Sequence, residues 1–316
     1  MFEVSASPHI KSVVYTHTIM ADVCIALIPA FVFGVYIYGA YAACIVGVSI
    51  ASCIFFEYIY HRIVGYSGDA GINDMSAAVT GLLLGLNMPP YTPLFIPVIG
   101  AAFAIIVVKQ LFGGLGHNFM NPALAARCFL LISFPREMTA FFLDGVSGAT
   151  PLAALKADEY PKLCEMFFGT GGGCIGEASV PALGIGIIYL IAKKVINIRI
   201  PFSYILSFTL ALSVYLAVSG TENAVYCIQA NLYGGGLILG AFFMATDYVT
   251  SPVTPAGQVV YGIIAGLLTF IFRQFGVLPE GVSYAIICSN MIVPIIEKCT
   301  MRKPFGEEIF RWRGNV

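Results

Sequence analysis

Charge is scarce in this chain. Only 10% of its 316 residues are charged, against about 25% in an ordinary soluble domain, and this deficit excludes a water-soluble globular protein. Neither sign is in excess: 16 Lys and Arg face 17 Asp and Glu, a net charge of −1, so no field exists for nucleic acid, and none is expected as a partner. The nine cysteines form no Cys-x-x-Cys pair or comparable ligand cluster, which excludes an iron–sulfur centre held by this chain alone and leaves most of them as small core residues. There is no Gly-x-Gly-x-x-Gly turn between a strand and a helix, and Gly171-Gly172-Gly173 lacks the Lys-Ser/Thr ending of a phosphate loop, so no nucleotide fold is expected. Met1 to Thr18 lacks a basic region followed by an apolar stretch and a small-residue cleavage site, so the first span is expected to remain as an anchor.

What the chain has instead is apolar length. Hydrophobic residues make up 59% and the mean hydropathy is +0.87. Ten membrane spans can be read, near 20–38, 40–60, 74–89, 92–109, 121–134, 180–196, 201–219, 226–246, 256–272 and 280–297. The 33 glycines and 17 prolines point to broken helices, because packed neighbours in a membrane protein re-satisfy the freed backbone groups. Short cytoplasmic loops collect basic residues. With the amino terminus inside, Lys11, Arg62, Lys109, Lys193, Lys194, Arg199, Lys298, Arg302, Lys303, Arg311 and Arg313 fall on the inner side; Arg136, Lys156, Lys162 and Arg273 fall outside, and Arg127 lies within the fifth span. Both termini are then cytoplasmic and the long connection is extracytoplasmic.

Two stretches repeat. Pro90-Tyr91-Thr92-Pro93 opens an apolar span ending at Lys109-Gln110-Leu111-Phe112-Gly113, and Pro252-Val253-Thr254-Pro255 opens another ending at Arg273-Gln274-Phe275-Gly276. These are spans four and nine, which cross in opposite directions. The expected fold is therefore an all-α polytopic membrane protein of about ten helices in two inverted five-helix repeats, several broken or short, with ligand sites where broken helices meet. The divisions are a cytoplasmic segment 1–19, a first repeat 20–134, an extracytoplasmic loop 135–179, a second repeat 180–297 and a basic cytoplasmic tail 298–316.

The long loop carries Asp144-Gly145-Val146-Ser147-Gly148-Ala149-Thr150-Pro151-Leu152. Ser-Gly-Ala-Thr is a flexible, small-residue stretch that presents a hydroxyl to a modifying enzyme, and Thr150 before Pro151 also suits a helix N-cap. The same loop holds Cys164 and Cys174, whose pairing the sequence leaves open. Asp22, Glu57, Asp74, Asp247 and Glu297 sit near span ends, where a solvated end is the ordinary reading, whereas Arg127 lies deeper, about one and a half turns beyond Asn121-Pro122.

Asp-x-x-Ser-Gly-Ala-Thr is similar to the covalent flavin attachment motif of the RnfD and NqrB family, the membrane subunits of the Rnf complex and of the sodium-pumping NADH:quinone reductase. The resemblance extends through Asp74 to Leu84 with Pro89-Pro90, Gly113 to Ala123 with Leu131 to Pro135, Met244 to Pro252, and Pro279 to Ala285. The length and short amino-terminal segment resemble RnfD more than NqrB. The resemblance implies a cell inner membrane subunit of a ferredoxin:NAD⁺ oxidoreductase (translocase) that couples electron flow to export of Na⁺ or H⁺ and is not catalytic alone. It implies FMN as a phosphoester on Thr150, added outside the membrane by a flavin transferase, with Asp144, Ser147, Gly148 and Ala149 as its motif, and a non-covalent riboflavin. Arg127, Asn121, Thr246 and Asp247 are the further candidate flavin contacts, Asp247 first among them. Partners implied are the other Rnf subunits, including a second flavinylated subunit and iron–sulfur subunits, together with membrane lipid. The competing reading is an inverted-repeat channel or transporter for a small solute or ion with no redox role, which would have no use for the Ser147–Thr150 motif.

Overall fold

In the computed structural model the described residues are 15–65, 74–143, 146–148, 150–157, 160–169, 172–177, 179–221, 223–276 and 281–301. Asp144 and Ala149 of the loop motif, Lys11 and the tail bases Arg302, Lys303, Arg311 and Arg313 lie outside them.

Each of the ten apolar stretches forms a helix. Five are long and apolar enough to cross a membrane: α1 (Thr16–Tyr38), α2 (Ala40–Val64), α10 (Arg199–Ser219), α13 (Pro255–Phe275) and α14 (Val282–Thr300). A sixth crossing is a bent pair, α11 (Ala224–Tyr233) and α12 (Leu237–Met244), which turn by 58° about Gly234 to Gly236. Gly235 and Gly236 adopt φ of +64° and +65°, the left-handed region that a side chain resists. The rest are shorter apolar helices: α3 (Ser76–Leu86), α4 (Phe95–Gln110), α5 (Pro122–Ser133) and α9 (Val180–Ala192). At about 1.5 Å per residue these reach only part of the way across a bilayer of about 30 Å. The last two turns of α4, Phe103–Gln110, widen to a π-helix, as do Gly240–Met244 at the end of α12.

Helices that hold like places in the two expected halves pair with one another. The first helices of the two halves, α1 and α9, pack on each other, and so do the last, α5 and α14, while α2 lies on α3 and α4 and α10 lies on α13. Small residues make these contacts close, as expected where lipid tails offer no hydrophobic drive between helices. A Cβ on Gly186 of α9 would lie 2.0 Å from the Ala26 carbonyl oxygen of α1, and one on Gly262 of α13 would lie 1.9 Å from Ser203 Oγ of α10. Gly81 of α3 meets the α2 backbone at Ile50 in the same way. The two Pro-x-Thr-Pro segments differ in detail. Thr254 caps α13 by accepting the Gly257 N–H at 3.1 Å, whereas Thr92 closes a turn onto the Pro89 carbonyl at 2.9 Å and α4 begins only at Phe95.

The long connection is folded and docked. After α6 (Pro135–Met138) comes an antiparallel hairpin of β1 (Phe141–Leu143) and β2 (Val146–Gly148) that pairs Phe142 with Ser147, then α7 (Pro151–Lys156), α8 (Leu163–Phe168) and a 3₁₀ turn at Ile175–Glu177. Ser147 and Gly148, expected in a loose stretch, are thus strand residues. Leu152, Met166, Cys174 and Ile175 are buried, and the Ile175 N–H donates to the Met88 carbonyl at 3.1 Å. The connection therefore plugs a seam between α1 and α3 instead of hanging free.

Two glycines two residues apart on α9 test the close crossing: Gly186 faces Ala26, while a Cβ at Gly184 would meet nothing within 4 Å. We expect Gly186→Ala to destabilise the detergent-solubilised protein by about 1–3 kcal/mol and Gly184→Ala to leave it unchanged, read from denaturant unfolding midpoints; equal effects would contradict the packing.

Candidate functional site

Thr150 stands at the start of α7. Its extended backbone and side-chain oxygen make it the N-cap, with Oγ1 accepting the Ala153 N–H at 3.2 Å, and Pro151 follows at the first helical position, where its missing N–H costs nothing. The capping expectation therefore holds. Thr150 is only 7% exposed, and it borders an open pocket of about 400 Å³ whose other walls include Gly169, Gly172, Gly173, Glu177, Gly234 and Gly235. The Gly172-Gly173 stretch, read from sequence as a plain loop, is thus pocket wall. Leu152 anchors the turn against the bend between α11 and α12, since a Cβ at Gly234 would lie 2.8 Å from it.

Arg273, placed from sequence on the outer side at the end of the ninth span, lies behind this pocket and is 1% exposed. It donates to the carbonyls of Asn231 at 2.6 Å, Gly234 at 3.0 Å and Gly235 at 2.9 Å, and its guanidinium sits 5.3 Å over the Phe208 ring. It therefore satisfies the carbonyls that the broken end of α11 leaves without helical partners. Lys156, the nearest cation on the loop, donates to the Gly276 carbonyl at 2.9 Å. Burial, and then the Arg273 charge, holds its ammonium pKa below the usual lysine range.

Arg127 occupies a second place, at the centre of the molecule. Its guanidinium donates to Asn87 Oδ1 at 2.5 Å and to Cys174 Sγ at 3.3 Å, and lies 3.6 Å from Glu177 Oε1. The carboxylate facing it is thus supplied by the long loop of the same chain, with Glu177 also bordering the Thr150 pocket. Asn87 and Glu177 were missed in the sequence because neither stands in a motif. Cys174 is buried against Arg127 while Cys164 is exposed, and both are free thiols, so the two are not bridged.

The remaining candidates meet at a third place. Asn121, Thr246 and Asp247 line one cavity of about 770 Å³ together with Ser76, Lys109 and apolar residues such as Leu83 and Phe242. Asn121 caps α5, accepting the Ala123 and Leu124 N–H groups at 3.1 and 3.4 Å, while its amide donates to the Met244 carbonyl at 3.3 Å. One side chain thus joins the start of α5 to the end of α12, across the two halves. Asp247 accepts the Thr250 hydroxyl at 3.2 Å. Burial raises its carboxyl pKa above the ordinary value, partly opposed by that hydroxyl and by the Val249 and Tyr248 backbone amides.

Glu57, expected at a solvated span end, and Lys109, counted among the inner-side bases, are 2% and 3% exposed. They form an ion pair; the Lys109 ammonium also donates to Ser76 Oγ at 2.6 Å, and Gln110 Nε2 donates to Glu57 at 2.9 Å. The repeat alignment of Lys109 with Arg273 was the one sequence signal that these two bases share a buried role. Among the described residues no group of three or more His, Cys, Asp or Glu is placed to hold a metal ion.

The sequence profile described as the NQR2, RnfD, RnfE family matches residues 3–306. The chain is 44% identical over 312 residues, 96% of this chain and 95% of the relative, to the D subunit of the Na⁺-translocating ferredoxin:NAD⁺ oxidoreductase complex of Acetobacterium woodii. It is 39% identical to the D subunit of the proton-translocating ferredoxin:NAD⁺ oxidoreductase complex of Clostridium ljungdahlii, covering 97% of this chain and 96% of the relative. It is 33% identical to the D subunit of the ion-translocating oxidoreductase complex of Aeromonas hydrophila, with 97% and 99% covered.

Removing one partner from the Arg127–Glu177 contact leaves a buried charge uncompensated. Arg127→Met is expected to cost about 3–5 kcal/mol of unfolding free energy, and Arg127→Met with Glu177→Gln to recover part of that loss; the measurement is denaturant unfolding, and equal stability of single and double variants would refute the pairing. Thiol labelling of the native protein should modify Cys164 rapidly and Cys174 only after unfolding, as counted by mass spectrometry of the two peptides.

Proposed function

We propose, for a chain that belongs to the NQR2, RnfD, RnfE family, that it is the covalently flavinylated electron-carrying subunit of an Rnf-type complex. It is a multi-pass membrane protein. In this reading it carries electrons within an ion-translocating ferredoxin:NAD⁺ oxidoreductase and couples their flow to Na⁺ or H⁺ export across the inner membrane. The observation that carries it is similarity along nearly the whole chain to relatives named as the D subunits of such complexes. Among these relatives one is named for Na⁺ and another for protons, so both ions stay within the reading. Other subunits of the complex, including a second flavinylated subunit and iron–sulfur subunits, would deliver and receive the electrons, and a flavin transferase would mature the chain.

FMN is assigned to Thr150 as a phosphoester. The chemistry of the residues supports it: Thr150 offers an acceptor hydroxyl and borders an open pocket, five of whose lining residues are glycines. Thr150 supplies the oxygen for the ester, α7 fixes where that oxygen stands, and the buried Leu152 fixes α7 on the body. A Cβ at Gly235 would stand 2.7 Å from the Arg273 guanidinium, so the bend beside the pocket is closely packed from behind. Bases concentrated at the opposite ends of the spans support an extracytoplasmic Thr150 and cytoplasmic termini. A non-covalent riboflavin is assigned to the cavity lined by Asn121, Thr246 and Asp247. Its apolar walls suit the faces of a fused ring, and these polar side chains suit the hydrogen-bonding edge. When bound, the flavins supply electron transfer that no side chain here provides; the protein contributes placement and electrostatic environment. Arg127 is a paired charge that reaches the border of the Thr150 pocket through Glu177.

The purified chain on a denaturing gel under ultraviolet light should give a flavin-fluorescent band. Thr150→Ala should abolish that band with the protein still visible by stain, and an unchanged band in this variant overturns the attachment. A pure, flavin-free chain that transports a solute without its partners would instead support the channel or transporter reading.

A further inference from the structure

Lys109 sits in an arrangement that structural need alone does not account for. A charged pair inside a membrane protein is costly, and an apolar pair of the same volume is often as stable. The chain nevertheless keeps an ammonium at 3% exposure and a carboxylate at 2%. The two are placed asymmetrically. Lys109 and Ser76 belong to the wall of the cavity of about 770 Å³ that also holds Asn121, Thr246 and Asp247. Glu57 is not part of that wall; it reaches Lys109 from α2, with Gln110 as its second donor at 2.9 Å. Behind Ser76, whose hydroxyl takes a Lys109 hydrogen bond at 2.6 Å, lies Asp74, which accepts from that hydroxyl at 2.6 Å. The His61 ring closes the far end, 3.5 Å from the Gln110 amide. Asp247 and Tyr248 are the other ionisable groups on the cavity wall.

The repeat counterpart makes the contrast. Arg273 spends its donors on the backbone carbonyls of a broken helix end, a structural use. Lys109 makes side-chain bonds only to Glu57 and Ser76 among the contacts described. Of this directly bonded pair only Lys109 belongs to the cavity wall, with Glu57 in contact behind it.

We propose that Lys109 is a positioning residue for the redox group of this cavity: its ammonium sets how much more tightly the cavity holds that group reduced than oxidised, and Glu57 tempers the effect from behind. The inference rests on the riboflavin reading given above. Its physical basis is charge alone. A ring that gains electrons gains negative charge, and a cation at the wall of a water-poor cavity stabilises the reduced form. A carboxylate behind the cation opposes it from a greater distance. Removing the two members should accordingly move the reduction potential in opposite directions, whereas a merely structural role would lower flavin occupancy or stability for both.

The test uses the purified full-length chain carrying Thr150→Ala, which removes its own covalent flavin signal, with riboflavin quantified after acid extraction and its midpoint potential read by spectroelectrochemistry. Lys109→Met should lower the potential, at least a tenfold loss in the ratio of affinities for reduced over oxidised ring. Glu57→Gln should raise it by a comparable factor, and Lys109→Arg should stay near the parent. If Lys109→Met fails to fold, the opposite sign expected of Glu57→Gln and the retention in Lys109→Arg still decide. Unchanged potentials with full occupancy, or shifts of the same sign in both charge-removing variants, overturn the role of Lys109. No extractable riboflavin in the parent overturns the cavity reading itself, a distinct result.

Discussion

Inside a bilayer a backbone amide or carbonyl has no water to pair with, so each break in a helix must be closed by the protein itself. The structure is organised around that constraint. Where α11 ends at the Gly234–Gly236 bend, Arg273 takes the exposed carbonyls. Where α5 begins, Asn121 takes two amides and also reaches the Met244 carbonyl at the end of α12. Where α3 ends, the Asn87 side chain bonds the Leu83 carbonyl and presents its oxygen to Arg127. Charged and amide side chains are few, and many of the buried ones are used at such breaks.

The same constraint places the candidate sites. A break leaves a gap in side-chain packing along with polar groups facing it, and both candidate flavin pockets lie at breaks. The Thr150 pocket lies against the bend between α11 and α12; the larger cavity lies where α3, α5 and α12 start or stop. Arg127, Asn87 and Glu177 occupy the centre of the molecule, with Glu177 also on the Thr150 pocket. The folded loop is therefore part of the body: its Cys174, Ile175 and Glu177 complete the packing of helices from the first half.

Much of the fold was legible because apolar length and turn chemistry are local properties. Ten spans read from hydropathy coincide with ten helical stretches, their ends within a few residues, and Thr150 as an N-cap followed from the Thr-Pro pair. Less legible was what each polar residue does. Glu57, Lys109 and Arg273 stand near span ends in sequence, and neither the solvated end expected of Glu57 nor the sidedness of the two bases revealed that α2 carries Glu57 to α4, or that α11 carries its carbonyls to α13. The looseness expected of Ser147 and Gly148 failed for a similar reason: a small-residue stretch is flexible unless a neighbouring strand pairs with it, and Phe141–Leu143 does.

The amino-acid sequence by itself determined the environment, the order of the apolar helices and the threonine that the loop motif singles out, since these depend on hydrophobicity, on residue spacing and on the geometry allowed before proline. Only the tertiary structure decided which side chains meet. It placed Asn121, Thr246 and Asp247 on one cavity wall, assigned Arg127 to Asn87, Cys174 and Glu177, and buried the Glu57–Lys109 pair. The partners of Arg127 and of Lys109 in these contacts stand 40 or more positions away along the chain, and no local preference encodes a meeting that depends on how whole helices cross.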